Sequence, residues 1–92
     1  MFIKVQKVSK DRNGQLFLTE VRVNSKYISF ISENKQMNYD LIEGKIFDGL
    51  SPLVRFSDIS ILTPAGHDLI TVVGEPDIIE SRISTSKHLL QG

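Results

Sequence analysis

Asn13 and Gly14 stand between two runs in which apolar and polar side chains alternate, and this feature restricts the fold most. An Asn-Gly pair takes up positive φ readily, so alternating runs on either side of it predict a β-hairpin. In residues 2–8, Ile3 and Val5 point one way with Lys7, while Phe2, Lys4, Gln6 and Val8 point the other. In residues 15–23, Phe17, Thr19, Val21 and Val23 share a face, with Leu16 and Leu18 opposite. A period of two sets these faces. The second strand, apolar on both sides, is expected to be covered on both.

The rest of the chain extends this sheet. Asn24-Ser25-Lys26 predicts a short corner, because Asn and Ser compete for local backbone hydrogen bonds. Residues 27–32 follow as a third strand, with Ile28 and Phe30 on one face and Tyr27, Ser29 and Ile31 on the other. Residues 33–41 are polar and carry no period, and residues 42–53 mix apolar anchors with Gly44, Gly49 and Pro52. The stretch from about 33 to 53 therefore reads as a long irregular insertion, with a short strand around Lys45–Phe47 as the other reading. A connection of this length in a small domain is usually functional or mobile. Its Met37, Tyr39, Leu41, Ile42, Ile46, Phe47, Leu50 and Leu53 predict that it folds against its own sheet or against a partner.

Residues 54–63 read as a strand, Pro64-Ala65-Gly66-His67 as a turn and residues 68–73 as the returning strand of a second hairpin. Gly74-Glu75-Pro76-Asp77 is a strand-to-helix junction, since proline suits the first helical position and acids the positive end of the helix dipole. Ile78, Ile79 and Ile83 then recur at helical spacing and are expected to press on the sheet. Ser84-Thr85-Ser86 weakens the helix, and residues 87–92 read as a frayed end or a docking element through Leu89 and Leu90. The predicted class is α+β, mostly β: one domain over 1–92, a strongly bent antiparallel sheet of about five strands made of two hairpins plus a middle strand, and a short C-terminal helix.

A chain of 92 residues is one domain with a modest core. Association with a second subunit is a common source of extra stability at this size. With 40% apolar and 24% charged residues the composition is that of a globular protein and not of a disordered one. The absence of cysteine excludes disulfides and thiolate zinc sites. The alternating start does not read as a signal peptide, and no run approaches the ~20 apolar residues of a membrane span, so a cytoplasmic location is expected. Net charge is zero, yet residues 1–26 hold six basic and two acidic side chains and residues 27–92 hold five and nine. The basic stretch reads first as a solvated strand face and second as a source of attraction between opposite ends of two molecules.

Catalysis needs acids, bases or nucleophiles within reach of one another. Ser60, His67 and Asp58 or Asp68 provide the residue types of a hydrolytic triad, but no Gly-x-Ser-x-Gly pattern surrounds them. His67 and Asp68 are adjacent, so in an extended segment they face opposite ways and do not form a metal site; the plain reading of His67 is a solvated turn residue. Gly44 and Gly49 have the spacing of a phosphate loop, but Leu50-Ser51 follows where Lys-Ser/Thr belongs. No catalytic residue, metal or cofactor is expected.

Val23-Asn24-Ser25-Lys26-Tyr27-Ile28-Ser29-Phe30-Ile31, the stretch from Ile59 to Val73, and Glu75-Pro76-Asp77-Ile78-Ile79-Glu80-Ser81-Arg82-Ile83 carry a family likeness. In their order of strand, corner, strand, hairpin, junction and short helix they resemble the FlbD-like small flagellar-associated proteins and similar short phage-encoded proteins. The likeness departs at residues 33–57, where those proteins have only a short turn. It implies a small non-enzymatic accessory role in a bacterial or phage setting.

The expected function is accordingly that of an accessory or adaptor protein working by protein–protein contact as a homo-oligomer. The alternative is a phage-type protein that binds or sequesters a small nucleotide signal. Cations for phosphate and aromatics for a base would then come from Arg22, Tyr27, Phe47, Arg55 and His67. Nucleic-acid binding through Lys4, Lys7, Lys10 and Arg12 ranks below both, because the local basic excess is cancelled elsewhere in the chain. A membrane is not an expected partner.

Overall fold

The computed structural model describes residues 1–91, with side chains through Ser84. In chain order the elements are β1 (Phe2–Lys10), β2 (Leu16–Asn24), a 3-10 turn (Ser25–Tyr27), β3 (Ile28–Glu33), α1 (Lys35–Ile42), β4 (Phe56–Thr63), β5 (Gly66–Val73) and α2 (Pro76–Gln91). The five strands form one antiparallel sheet in the order β2-β1-β5-β4-β3, so β2 and β3 are its edges. The mostly-β class, both hairpins, the middle strand and the C-terminal helix are all present.

Register explains which side chains are buried. Residues paired across strands share a face, and the pairs Ile3–Val23, Val5–Val21, Ser57–Val72, Ile59–Ile70 and Ile31–Ile59 fall on one side. On that side Ile3, Val5, Val23, Ile59 and Val72 form the core with Ile79 of α2, flanked by Val21, Ile28, Ile31, Ile61, Ile70 and Ile83. The isoleucine stripe of α2 thus meets the sheet as its spacing predicts. Burying one such side chain contributes about 1.5–3 kcal/mol.

The first hairpin closes differently from a two-residue Asn-Gly turn. Only Gly14 has positive φ, and the Asp11 carboxylate accepts the N–H groups of Asn13 and Gln15, each at 2.9 Å. The Asp11 and Gly14 backbones complete a longer loop through Asp11 N–H to Gln15 C=O (2.9 Å) and Gly14 N–H to Asp11 C=O (3.0 Å). In the second hairpin, Pro64 and Ala65 alone connect the strands, because Thr63 already pairs with Gly66. His67 therefore lies within β5, opposite Leu62, and not in the turn where the sequence places it.

Three further differences have local causes. Residues 33–53 are not an irregular insertion throughout, since α1 occupies Lys35–Ile42. The Asn34 carboxamide oxygen caps it by accepting the Met37 N–H at 3.0 Å. Its period escapes a hydrophobicity reading because one of its two buried residues, Asn38, is polar; Leu41 is the other. No strand forms around Lys45–Phe47, where Phe47 adopts φ 51°. Tyr27 belongs to the 3-10 turn, and a register shift between Ile28 and Phe30 puts both Ile28 and Ile31 against the core. Strict alternation from Tyr27 to Ile31 fails at that bulge.

α2 runs from Pro76 to Gln91, past Ser84-Thr85-Ser86, longer than expected. Serine and threonine are only mildly unfavourable in a helix. The proposed docking residues Leu89 and Leu90 lie outside the described side chains. No helix among the described residues is long and apolar enough to cross a membrane.

Candidate functional site

The face of the sheet turned away from α2 carries the even-numbered residues of β4. At its start Phe56 is fully buried, stacked on Phe47 with ring centroids 5.7 Å apart and 16° between planes. α1 is tied down beside it: the Phe56 N–H donates to the Asn38 Oδ1 at 2.6 Å, and the Asn38 Nδ2 donates to Glu33 Oε1 at 3.2 Å. Midway along β4, Asp58 accepts from Asn34 Nδ2 (3.0 Å) and from the Thr71 hydroxyl (2.7 Å). One end of this face is thus closed by the segment after β3.

The other end is open. Phe30 of β3 pairs with Ser60 of β4, and Ser60 pairs with Leu69 of β5, so the three lie in one row across three strands. Two strand spacings of ~4.8 Å put Phe30 and Leu69 about 10 Å apart. Leu62, two residues beyond Ser60, shares their face. Phe30 is 54% exposed, Leu62 49% and Leu69 61%, whereas Ser60 between them is buried. These large apolar side chains thus share one exposed face of the sheet. His67, opposite Leu62, and the 3-10 turn bearing Tyr27 border the row.

The sequence singles out five ligand residues, and the structure spreads them over the molecule. Tyr27 and His67 are exposed beside the apolar row. Phe47 and Arg55 adjoin Phe56, at the opposite end of β4 from Leu62. The six residues from Phe56 to Leu62 span about 20 Å at ~3.3 Å each. The Arg55 guanidinium is turned onto its own loop, donating to Pro52 C=O at 2.7 Å and Val54 C=O at 3.0 Å. It borders a cleft of about 410 Å³ with Glu33, Glu75, Pro76 and Asp77. Arg22 lies on edge strand β2, opposite Lys4. Phe47 and Arg55 thus share one neighbourhood at Phe56, Tyr27 and His67 another beside the row, and Arg22 stands apart from both.

Phe47 also lines a second cleft of about 420 Å³, between the first hairpin's tip (Gly14, Gln15, Leu16) and the backbone of Gly44–Asp48. Among the described residues no three His, Asp or Glu side chains gather as a metal ion would need. Tyr39 on α1 holds its phenol proton above the ordinary range, chiefly through a hydrogen bond with Glu43, then through desolvation and the nearby Asp40 charge. That phenol is exposed.

Sequence reasoning did not single out Phe30, Leu62 and Leu69. Pairing them required the register of three strands. No protein-family model, no curated protein and no solved structure matches this chain significantly. The resemblance to FlbD-like proteins rests on its quoted residues alone.

Proposed function

We propose that this protein is a small non-enzymatic accessory or adaptor module that works by protein–protein contact, with a second copy of itself as its first partner. The observation that carries this reading is the exposed row Phe30–Ser60–Leu69 with Leu62 beside it. Each of those large side chains is about half exposed, so covering it adds roughly half of the ~1.5–3 kcal/mol of full burial. A patch that is apolar and lacks charge is complementary to itself, which suits a two-fold contact. The small core of a chain this size adds a second motive for pairing.

The sheet that presents the row is, in this reading, strongly bent. β2 and β3 are opposite edges, yet only Ser25–Tyr27 joins them. Four strand spacings would set the edges of a flat sheet about 19 Å apart. Two 3-10 steps and two extended ones, from Asn24 to Ile28, cover only about 11 Å. Bending brings the edges together and makes the Phe30–Leu69 face convex.

Sedimentation equilibrium of the full chain tests the reading. At tens of micromolar the expected mass is twice the chain's 10.4 kDa. A mass equal to the chain's at every concentration overturns it.

A further inference from the structure

A second surface lies between β1 and α2. β1 pairs with β2 along its whole length but with β5 only at Lys7 and Val72, because Gly74 then turns the chain away into α2. The hydrogen-bonded pairs that frame the first hairpin are Asp11 with Gln15 and Met1 with Ser25. Between them the antiparallel ladder alternates, so odd-numbered residues bond to β2 and even-numbered ones turn their main-chain groups outward. Phe2 and Lys4 therefore present N–H and C=O groups, and Gln6 its N–H, on the side where the next strand is missing. One of these is already used in that sense: the Arg82 guanidinium donates to Lys4 C=O at 3.2 Å.

The gap is a groove of about 580 Å³, lined by β1 residues 2–6 with Glu20, Ser81 and Arg82. Its volume is in the range of peptide and small-ligand sites. Lys4 and Arg82 give it two cations against Glu20, and Arg22 stands opposite Lys4 on β2. Of the six basic side chains in residues 1–26, Lys4 lines the groove and Arg22 adjoins it.

We propose that this groove accepts an extended acidic peptide segment, which adds as a strand beside Phe2–Gln6 with its carboxylates against Lys4 and Arg82. Main-chain hydrogen bonds supply affinity in strand addition, and the flanking side chains supply selectivity. The free main-chain groups call for an extended chain, and the cations select its charge.

The probe is a fluorescent peptide of alternating Glu and Val, about seven residues long to span the open segment at ~3.3 Å each. It is titrated into the full chain, with amide shifts followed by NMR. The expected result is saturable binding that moves the amides of Phe2, Lys4 and Gln6. A Lys-Val peptide and a Glu-Pro peptide, which lacks half the main-chain donors, should bind at least about tenfold more weakly. Lys4→Glu and Arg82→Glu, both at exposed positions, should each weaken the acidic peptide by about tenfold. Equal binding of the Lys-Val or Glu-Pro peptide overturns the proposal, as do shifts confined to other strands. Shifts of the same three amides with protein concentration alone, and no peptide binding, assign the groove to a second copy and overturn it too.

Discussion

The N–H of Phe56 donates to the side-chain oxygen of Asn38 at 2.6 Å, and this one bond joins α1 to the first residue of β4. Both residues are buried, so nothing from solvent can replace either partner. Asn38→Leu leaves the Phe56 N–H unpaired, which costs about 1–3 kcal/mol. Urea unfolding should show a lower midpoint with an unchanged slope.

The segment 35–52 should prove structural in the first place. It places Phe47 on Phe56, buries Leu41, and is capped by Asn34, which bonds to Asp58. Replacing residues 35–52 by a short Gly-Ser turn uncovers Phe56 and removes the Asn38 bond. The expected result is loss of the cooperative thermal transition. A shortened chain that melts like the parent would contradict this role.

Gly74 is the sharpest backbone constraint at the β5–α2 junction. It has φ +128°, donates to Arg55 C=O at 2.7 Å and accepts the Ser57 hydroxyl at 2.7 Å. An added Cβ would stand 3.4 Å from Ile79 Cγ1, so strain rather than space decides the outcome. Gly74→Ala should cost about 1–3 kcal/mol. In a domain of this size each kcal/mol lowers Tm by roughly 4–8 °C.

The strands and both hairpins were legible because the period of two is local, and burial follows it in β1 and in the core-facing half of β2. The isoleucine spacing gave α2 in the same way. α1 was hidden, since Asn38 occupies a position that apolar patterning reads as solvent, and its partner Phe56 is 18 residues away. The bulge at Ser29 was equally hidden, because it is set by the register of β3 on β4. The exposed row needed that same register: nothing local to Phe30 or Leu69 says that they flank Ser60. Arg22, Tyr27, Phe47, Arg55 and His67 supplied suitable chemistry, but residue type carries no information about where in the sheet each one lies.

Light-scattering mass of Leu69→Arg, beside the wild-type chain and Leu53→Arg, tests the central claim most directly. Leu53 is 82% exposed in the loop before β4 and lies outside the row, so its substitution controls for added charge. At tens of micromolar the wild-type chain and Leu53→Arg should have twice the mass of one chain, 10.4 kDa, and Leu69→Arg the mass of one. A monomeric wild-type chain, or a Leu69→Arg variant that remains dimeric, would contradict it.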